Sequence, residues 1–144
     1  MKLRWLVSKL LRAATGGAQT SKTAPKPLAD SAEGYTDLGT ALGQKGDLNG
    51  AIAESRTAIR IKPDDAKAHY NLGLALYGKG DLDGAIVEYL IAIHLLPDFA
   101  AAHYNLGVAL KVKGNLEGAI AEFRTAIRIK PYDAMAHYNF GLVT

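Results

Sequence analysis

The residues best suited to chemistry in this chain are four histidines, a regular series of asparagines and Ser55, which stands where the sister rows carry an aromatic. His69, His103 and His137 recur every 34 residues, and a neutral imidazole is a common ligand of zinc. Their spacing argues against a shared ion. Equivalent positions in stacked helical units lie about 8–10 Å apart, whereas two ligands of one zinc must each stand about 2 Å from it. His94 has no acidic or cysteine partner at ligand spacing. Ser55 lacks a histidine and a carboxylate at a recognisable motif spacing, and GxxxxGK(S/T), GxSxG and HExxH are all absent. The adjacent carboxylates Asp64 and Asp65 stand where a helix cap is expected. With no cysteine in the chain, thiolate metal sites, disulfides and cysteine nucleophiles are excluded. The expectation is a protein with no catalytic, cofactor or metal residues.

The elements that position these residues follow from a repeat. AHYNLG occupies residues 68–73 and again 102–107, and AHYNFG occupies 136–141. Rows of 34 residues run over 32–65, 66–99 and 100–133, with a partial fourth at 134–144. Glycine stands at the eighth place of each row (Gly39, Gly73, Gly107, Gly141) and at the fifteenth (Gly46, Gly80, Gly114). Alanine takes the twentieth (Ala51, Ala85, Ala119) and the twenty-seventh (Ala58, Ala92, Ala126), and Pro63, Pro97 and Pro131 close the rows. Apolar residues recur at helical spacing on both sides of the fifteenth place. A glycine there can end one helix in the left-handed conformation, and Asp47, Asp81 or Asn115 can cap the next. Asp64 or Asp65, Asp98 and Asp133 are placed to cap the first helix of the following row. Each row therefore predicts two short antiparallel helices, with small residues where the pair must approach closely.

This pattern resembles the tetratricopeptide repeat (TPR) family, which has a large residue at place 7, small ones at 8, 20 and 27, an aromatic at 24 and proline at 32. The second row meets it with Leu72, Gly73, Ala85, Tyr89, Ala92 and Pro97, and the third with Leu106, Gly107, Ala119, Phe123, Ala126 and Pro131. The resemblance covers residues 32–144 and implies an all-α fold, a right-handed α-solenoid of stacked antiparallel helix pairs. Two departures stand out. Ser55 replaces the aromatic of the first row, and histidine (Tyr35 in the first row) replaces the common tryptophan at place 4. The first repeat is accordingly expected to be the loosest.

In this family the first helix of each pair lines a concave face. The resemblance implies a peptide-binding lining of Lys67, Tyr70, Asn71, Leu74 and Tyr77, then Tyr104, Asn105, Val108 and Lys111, then Tyr138, Asn139 and Leu142. The first row offers Glu33, Thr36, Asp37 and Thr40. Tyrosines supply apolar area at small entropic cost, and an asparagine offers a donor and an acceptor to an extended backbone. The series Asn71, Asn105 and Asn139 is similar to the asparagine ladder of repeats attached to O-linked N-acetylglucosamine transferases. The positions with which chaperone-tail receptors hold a terminal carboxylate are Thr36, Thr40, Asn71, Ala101 and Asn105 here, and only Asn71 fits. The second row carries Leu90, His94 and Leu96 where the first has Arg56, Arg60 and Lys62, and Val87, Leu90, Ile91 and His94 follow helical spacing. An exposed apolar strip is one reading, and core burial of some of these side chains is the other.

Ahead of the repeats, residues 1–14 read as a basic amphipathic helix. Leu3, Leu6, Val7, Leu10 and Leu11 fall on an arc of about 140°, opposite Lys2, Arg4, Lys9 and Arg12. Residues 15–31 read as a flexible linker. The formal net charge of +3 divides into +5 over residues 1–31 and −2 over 32–144, so the body has no field to hold a phosphate backbone, and no nucleic-acid partner is expected. Lys9 interrupts what would otherwise be a signal-peptide core. The partial fourth row is an internal-type helix without a covering partner, which implies an array continuing past Thr144 or self-association through that face. The functional expectation is a cytoplasmic interaction scaffold that binds a protein or peptide on its concave face, with peripheral membrane contact through residues 1–14. The alternatives are the substrate-recruiting segment of a larger glycosyltransferase-like enzyme and a membrane-associated assembly factor.

Overall fold

The structure, a computed structural model, describes residues 31–144. The amphipathic helix expected at 1–14 and the linker expected at 15–31, Ser31 apart, lie outside the described residues. Seven helices and no strand occur among the described residues: α1 Ala32–Gln44, α2 Leu48–Ile61, α3 Ala66–Gly78, α4 Leu82–Leu95, α5 Ala100–Val112, α6 Leu116–Ile129 and α7 Ala134–Val143. Each full row holds two of them, and α7 is the first helix of the fourth.

Local chemistry sets the boundaries. Ser31 caps α1 by accepting from the Gly34 N–H, while Asp47, Asp81 and Asn115 cap α2, α4 and α6 in the same way. The turn inside each pair depends on Gly46, Gly80 and Gly114, whose φ of 85° to 86° lies in the left-handed region. That conformation brings the N–H of the capping residue back to a carbonyl near the end of the preceding helix, at 2.9 Å for Asp47 to Leu42, Asp81 to Leu76 and Asn115 to Leu110. The second helices stop two residues short of Pro63, Pro97 and Pro131.

One cap departs from expectation. Asp65 and Asp133 cap α3 and α7, but the residue before α5 is Phe99, which makes no side-chain cap bond. Asp98 stands one residue too early to serve, at the place of Asp64 and not of Asp65. The Phe99 ring packs instead on Tyr70, with centroids 4.8 Å apart.

The pairs close through the eighth place. A methyl group built on Gly73 would meet the Tyr89 ring at 2.6 Å, and one on Gly107 would meet the Phe123 ring at 2.7 Å, so each ring lies directly on a helix backbone. Tyr89 and Phe123 are buried, as are Ala85, Ala92, Ala119 and Ala126. The first pair solves the same problem differently, and it is not looser. Without a ring, α2 comes close enough for a Cβ on Gly39 to lie 3.4 Å from the Ala51 carbonyl oxygen and 3.0 Å from Ser55 Oγ. Bulk is supplied from place 4 by Tyr35, which is buried with Ala58 and Ala68.

Successive first helices α1, α3, α5 and α7 touch one another, whereas α2, α4 and α6 make no comparable contact with each other. The first helices are therefore the inner row of a curved stack and line its concave face. The second helices form the outer row. Between rows, each second helix also packs on the first helix that follows it.

Place 8 gives a prediction of sign. Gly73→Ala should cost about 1–3 kcal/mol through overpacking against Tyr89. Gly141 holds the same place in α7 and has nothing within 4 Å of a built Cβ. Gly141→Ala should instead be neutral or gain up to about 1 kcal/mol of helix propensity. Urea unfolding of the two variants checks this, and equal destabilisation by both would be incompatible with the packing described.

Candidate functional site

The histidines are tied into the repeat itself. His69 Nδ1 lies 2.6 Å from Glu88 Oε2 and its Nε2 lies 2.9 Å from the Pro63 carbonyl oxygen. His103 repeats this with Glu122 at 2.6 Å and Pro97 at 2.8 Å. Both ring nitrogens are thereby engaged, each imidazole clamping a row end to the second helix of its own pair. Among the described residues His137 keeps only the Pro131 contact, at 2.7 Å. In the first row Tyr35 stands in for histidine, and Glu54 has no imidazole to meet. Burial pushes the Glu54 carboxyl above its ordinary value. Ser55 is fully buried, with no hydrogen-bond partner for its hydroxyl among the described residues.

The concave face is a hydrogen-bonded ladder. Asn105 Nδ2 donates to the Tyr70 hydroxyl at 3.0 Å and to the Ala101 carbonyl at 3.0 Å. Asn139 repeats both contacts one row later, to Tyr104 and Met135, again at 3.0 Å. In the first interval, where Thr36 replaces tyrosine, Asn71 Nδ2 reaches Thr40 Oγ1 at 2.7 Å. In Asn105 and Asn139 one amide N–H is thus spent on stacking and the other on the residue's own helix, which leaves the carbonyl oxygens. Lys111 Nζ takes that of Asn139 at 2.9 Å. Among the described residues nothing donates to the Oδ1 atoms of Asn71 and Asn105, and the Tyr70 and Tyr104 hydroxyls, being acceptors in the ladder, retain their own O–H to donate. Burial raises the pKa of both phenols, with the Asn105 hydrogen bond working against that rise at Tyr70. They remain neutral donors at physiological pH.

Between α1 and α3 the face deepens into a cleft of about 620 Å³. Its walls include Thr40, Gly43, Leu48, Tyr70, Leu74 and Phe99. The opening exists because place 12 is glycine in the first row, where the second and third rows carry Tyr77 and Lys111. Of the residues expected to line a binding face, Lys67, Tyr70, Asn71 and Leu74 meet at this cleft. Lys67 sits at the rim in an exposed ion pair with Asp37, at 3.2 Å. Tyr77, Tyr104, Asn105, Val108 and Lys111 are half-buried further along the inner row, Asn139 is buried, and Tyr138 and Leu142 are exposed on α7. Gly43, Leu48 and Phe99 were not anticipated. Two of them carried a signal, since glycine at place 12 and phenylalanine where Asp65 and Asp133 stand are both departures from the repeat.

Stacked helix pairs with this turn chemistry define a helical repeat protein. The chain belongs to the TPR repeat family, whose profile matches residues 39–80, 73–114 and 111–144. Among solved structures it is similar to YrrB, a TPR protein with an unusual peptide-binding site, at 28% identity and a TM-score of 0.70 over 75% of this chain and 56% of that one. The first TPR of Spaghetti (RPAP3) bound to an HSP90 peptide superposes at 17% identity and a TM-score of 0.77, over 78% of this chain and 90% of that one. A Thermobaculum terrenum O-GlcNAc transferase mutant superposes at 24% identity and a TM-score of 0.75, over 83% of this chain and 23% of that one. The last two share the fold alone. No curated protein matches the chain.

Two outcomes follow from the buried polar groups. Tyr70→Phe removes the acceptor for Asn105 and should lower stability by about 0.5–1.5 kcal/mol, read by urea unfolding. Glu54→Gln should raise the melting temperature at neutral pH. Its carboxyl has a folded-state pKa above the unfolded one, so the burial penalty is present when the group is charged and vanishes as pH falls through the carboxylate range. The variant and the wild type should therefore converge in acid.

Proposed function

We propose that this TPR array is a peptide-binding module, and that the cleft between α1 and α3 seats one apolar side chain of an extended segment. The observation that carries the reading is the coincidence of an apolar cleft with unused polar groups. Asn71 Oδ1 at its wall can accept a ligand backbone N–H, and the Tyr70 hydroxyl can donate to a ligand carbonyl. Asn105 and Tyr104 offer the same pair one row on, so a strand laid across the inner row meets like groups at successive repeats.

Peptide binding by YrrB and by the first TPR of Spaghetti supports the mode and not the ligand. The positions that would hold a chaperone terminal carboxylate are Thr36, Thr40, Asn71, Ala101 and Asn105, with no lysine or arginine among them. The alternative, a substrate-recruiting segment of an O-GlcNAc transferase-like enzyme, rests on the asparagine series. That series here has its amide donors committed within the array, to the preceding repeat and to its own helix, which favours the simpler reading.

Peptides selected from a random display library on the full chain provide the test. Gly43→Tyr puts into the first row the residue that the second row carries at this place, and a Cβ there meets only Ala51 Cβ at 3.7 Å. The fold should hold, with an unchanged melting temperature. Selected peptides should share a bulky apolar residue and lose about tenfold or more in affinity for the variant, as for an anchor excluded from its pocket. Equal binding to both proteins would remove the cleft from the site.

A further inference from the structure

The outer face holds a second anomaly, independent of the groove. At places 25 and 29, and just past the helix end at place 31, the first row carries Arg56, Arg60 and Lys62 and the third carries Arg124, Arg128 and Lys130, all exposed. The second row carries Leu90, His94 and Leu96 instead. One turn earlier, Val87 replaces the alanines of the sister rows. These side chains are not core: Val87 is 52% exposed, Leu90 50% and Leu96 48%, and His94 is exposed as well. Because α2, α4 and α6 form the outer row, the result is an apolar strip along α4 with a column of cations on either side.

Nothing within the described residues neutralises those columns. The ion pairs present are Lys67–Asp37, Lys113–Asp83, His69–Glu88 and His103–Glu122, and none involves the six flanking cations. Arg124 is partly positioned by Phe140, whose ring centre lies 5.9 Å from its guanidinium carbon.

We propose that this strip is a second binding face, and that its ligand is an acidic amphipathic helix of a partner protein. The charge pattern selects among occupants. A second copy docked through the same strip would set cations against cations, and residues 1–14 of this chain would bring Lys2, Arg4, Lys9 and Arg12 to the same columns. The geometry points to a helix lying along α4. Val87, Leu90 and His94 follow the helical period in a line about 10 Å long, at 1.5 Å per residue. Arg56 with Arg60, and Arg124 with Arg128, stand one turn apart on the two flanks, the spacing of carboxylates on each edge of a helix whose centre is apolar. An array with peptide on its inner face and a helix on its outer face would bridge two proteins.

A synthetic helical peptide with leucine at heptad positions a and d and glutamate at e and g serves as the probe, and its lysine-flanked counterpart as control. Binding to the full chain is read by fluorescence anisotropy at low salt. The informative variant is Leu90→Arg with Leu96→Lys, which restores the residues of the sister rows and should leave the melting temperature unchanged. The glutamate peptide should bind, the lysine peptide should not, and the variant should weaken binding about tenfold or more. Arg56→Glu with Arg128→Glu should do likewise and flatten the salt dependence. Equal binding of the two peptides, or affinity indifferent to the leucines, would overturn the proposal. Strip-dependent binding to phosphatidylserine vesicles with no peptide binding would overturn it in favour of a lipid surface. Dimerisation abolished by the leucine variant would do so in favour of self-association.

Discussion

A missing side chain governs this structure. Where α3 passes α4, Gly73 leaves its backbone bare and the Tyr89 ring lies on it; Gly107 and Phe123 repeat the contact between α5 and α6. The approach fixes the distance within each pair, and a fixed pair presents the same surface to each neighbour. Like surfaces then stack in series. The inner helices touch from row to row while the outer ones do not, so the stack curves and the two faces diverge.

Polar groups between rows add register to this apolar closure. Each bond from an asparagine to the tyrosine of the preceding row buries a donor that would be costly to leave unpaired. A slip along the helices would break every such bond at once, whereas apolar contacts can slide. The clamps from His69 and His103 act similarly within a row, holding the loop at Pro63 or Pro97 to a carboxylate on the second helix. The ladder has a functional consequence too. By using the amide donors it leaves one kind of group, a carbonyl oxygen, at Asn71 and Asn105, and so narrows what an inner-face ligand can offer.

The parts of the fold legible in the sequence were those each row states on its own. Turn glycines, caps at Asp47, Asp81 and Asn115, and helix stops before proline are local, and local signals survive without a structure. What escaped depends on pairs of rows. The asparagine donors find partners 35 residues away, so their role in stacking could not be separated from a role in binding. The compensation in the first pair involves Tyr35 and Ser55 together, and reading Ser55 alone suggested a looseness that the backbone removes by closing in. Asp98 is the expected cap of α5, yet Phe99 holds the capping place, makes no side-chain cap bond and supplies a wall of the cleft. The cleft itself is the shape left by Gly43, and an absence takes meaning only from its surroundings.

In a periodic array, residues common to all rows are explained by stacking, and any other role must be argued over that one. Departures carry no such explanation. Here they fall into two groups. Thr40, Gly43 and Phe99 open the inner face between the first and second rows, and Val87, Leu90, His94 and Leu96 change the outer face of the second. Thr40 and Gly43 belong to α1 and Phe99 to the loop before α5, so the two groups share neither a helix nor a surface. One opens the inner face between α1 and α3, and the other lies on α4 in the outer row. Stability does not require either of them: the same frame closes in the third row with a lysine at place 12 and arginines along the outer helix. A glycine that empties a groove and leucines that expose apolar surface both work against a buried core and a solvated exterior. That cost, set on the inner face between α1 and α3 and on the outer face of α4, makes the junction of the first and second repeats the place where an inner and an outer partner would be brought close to each other.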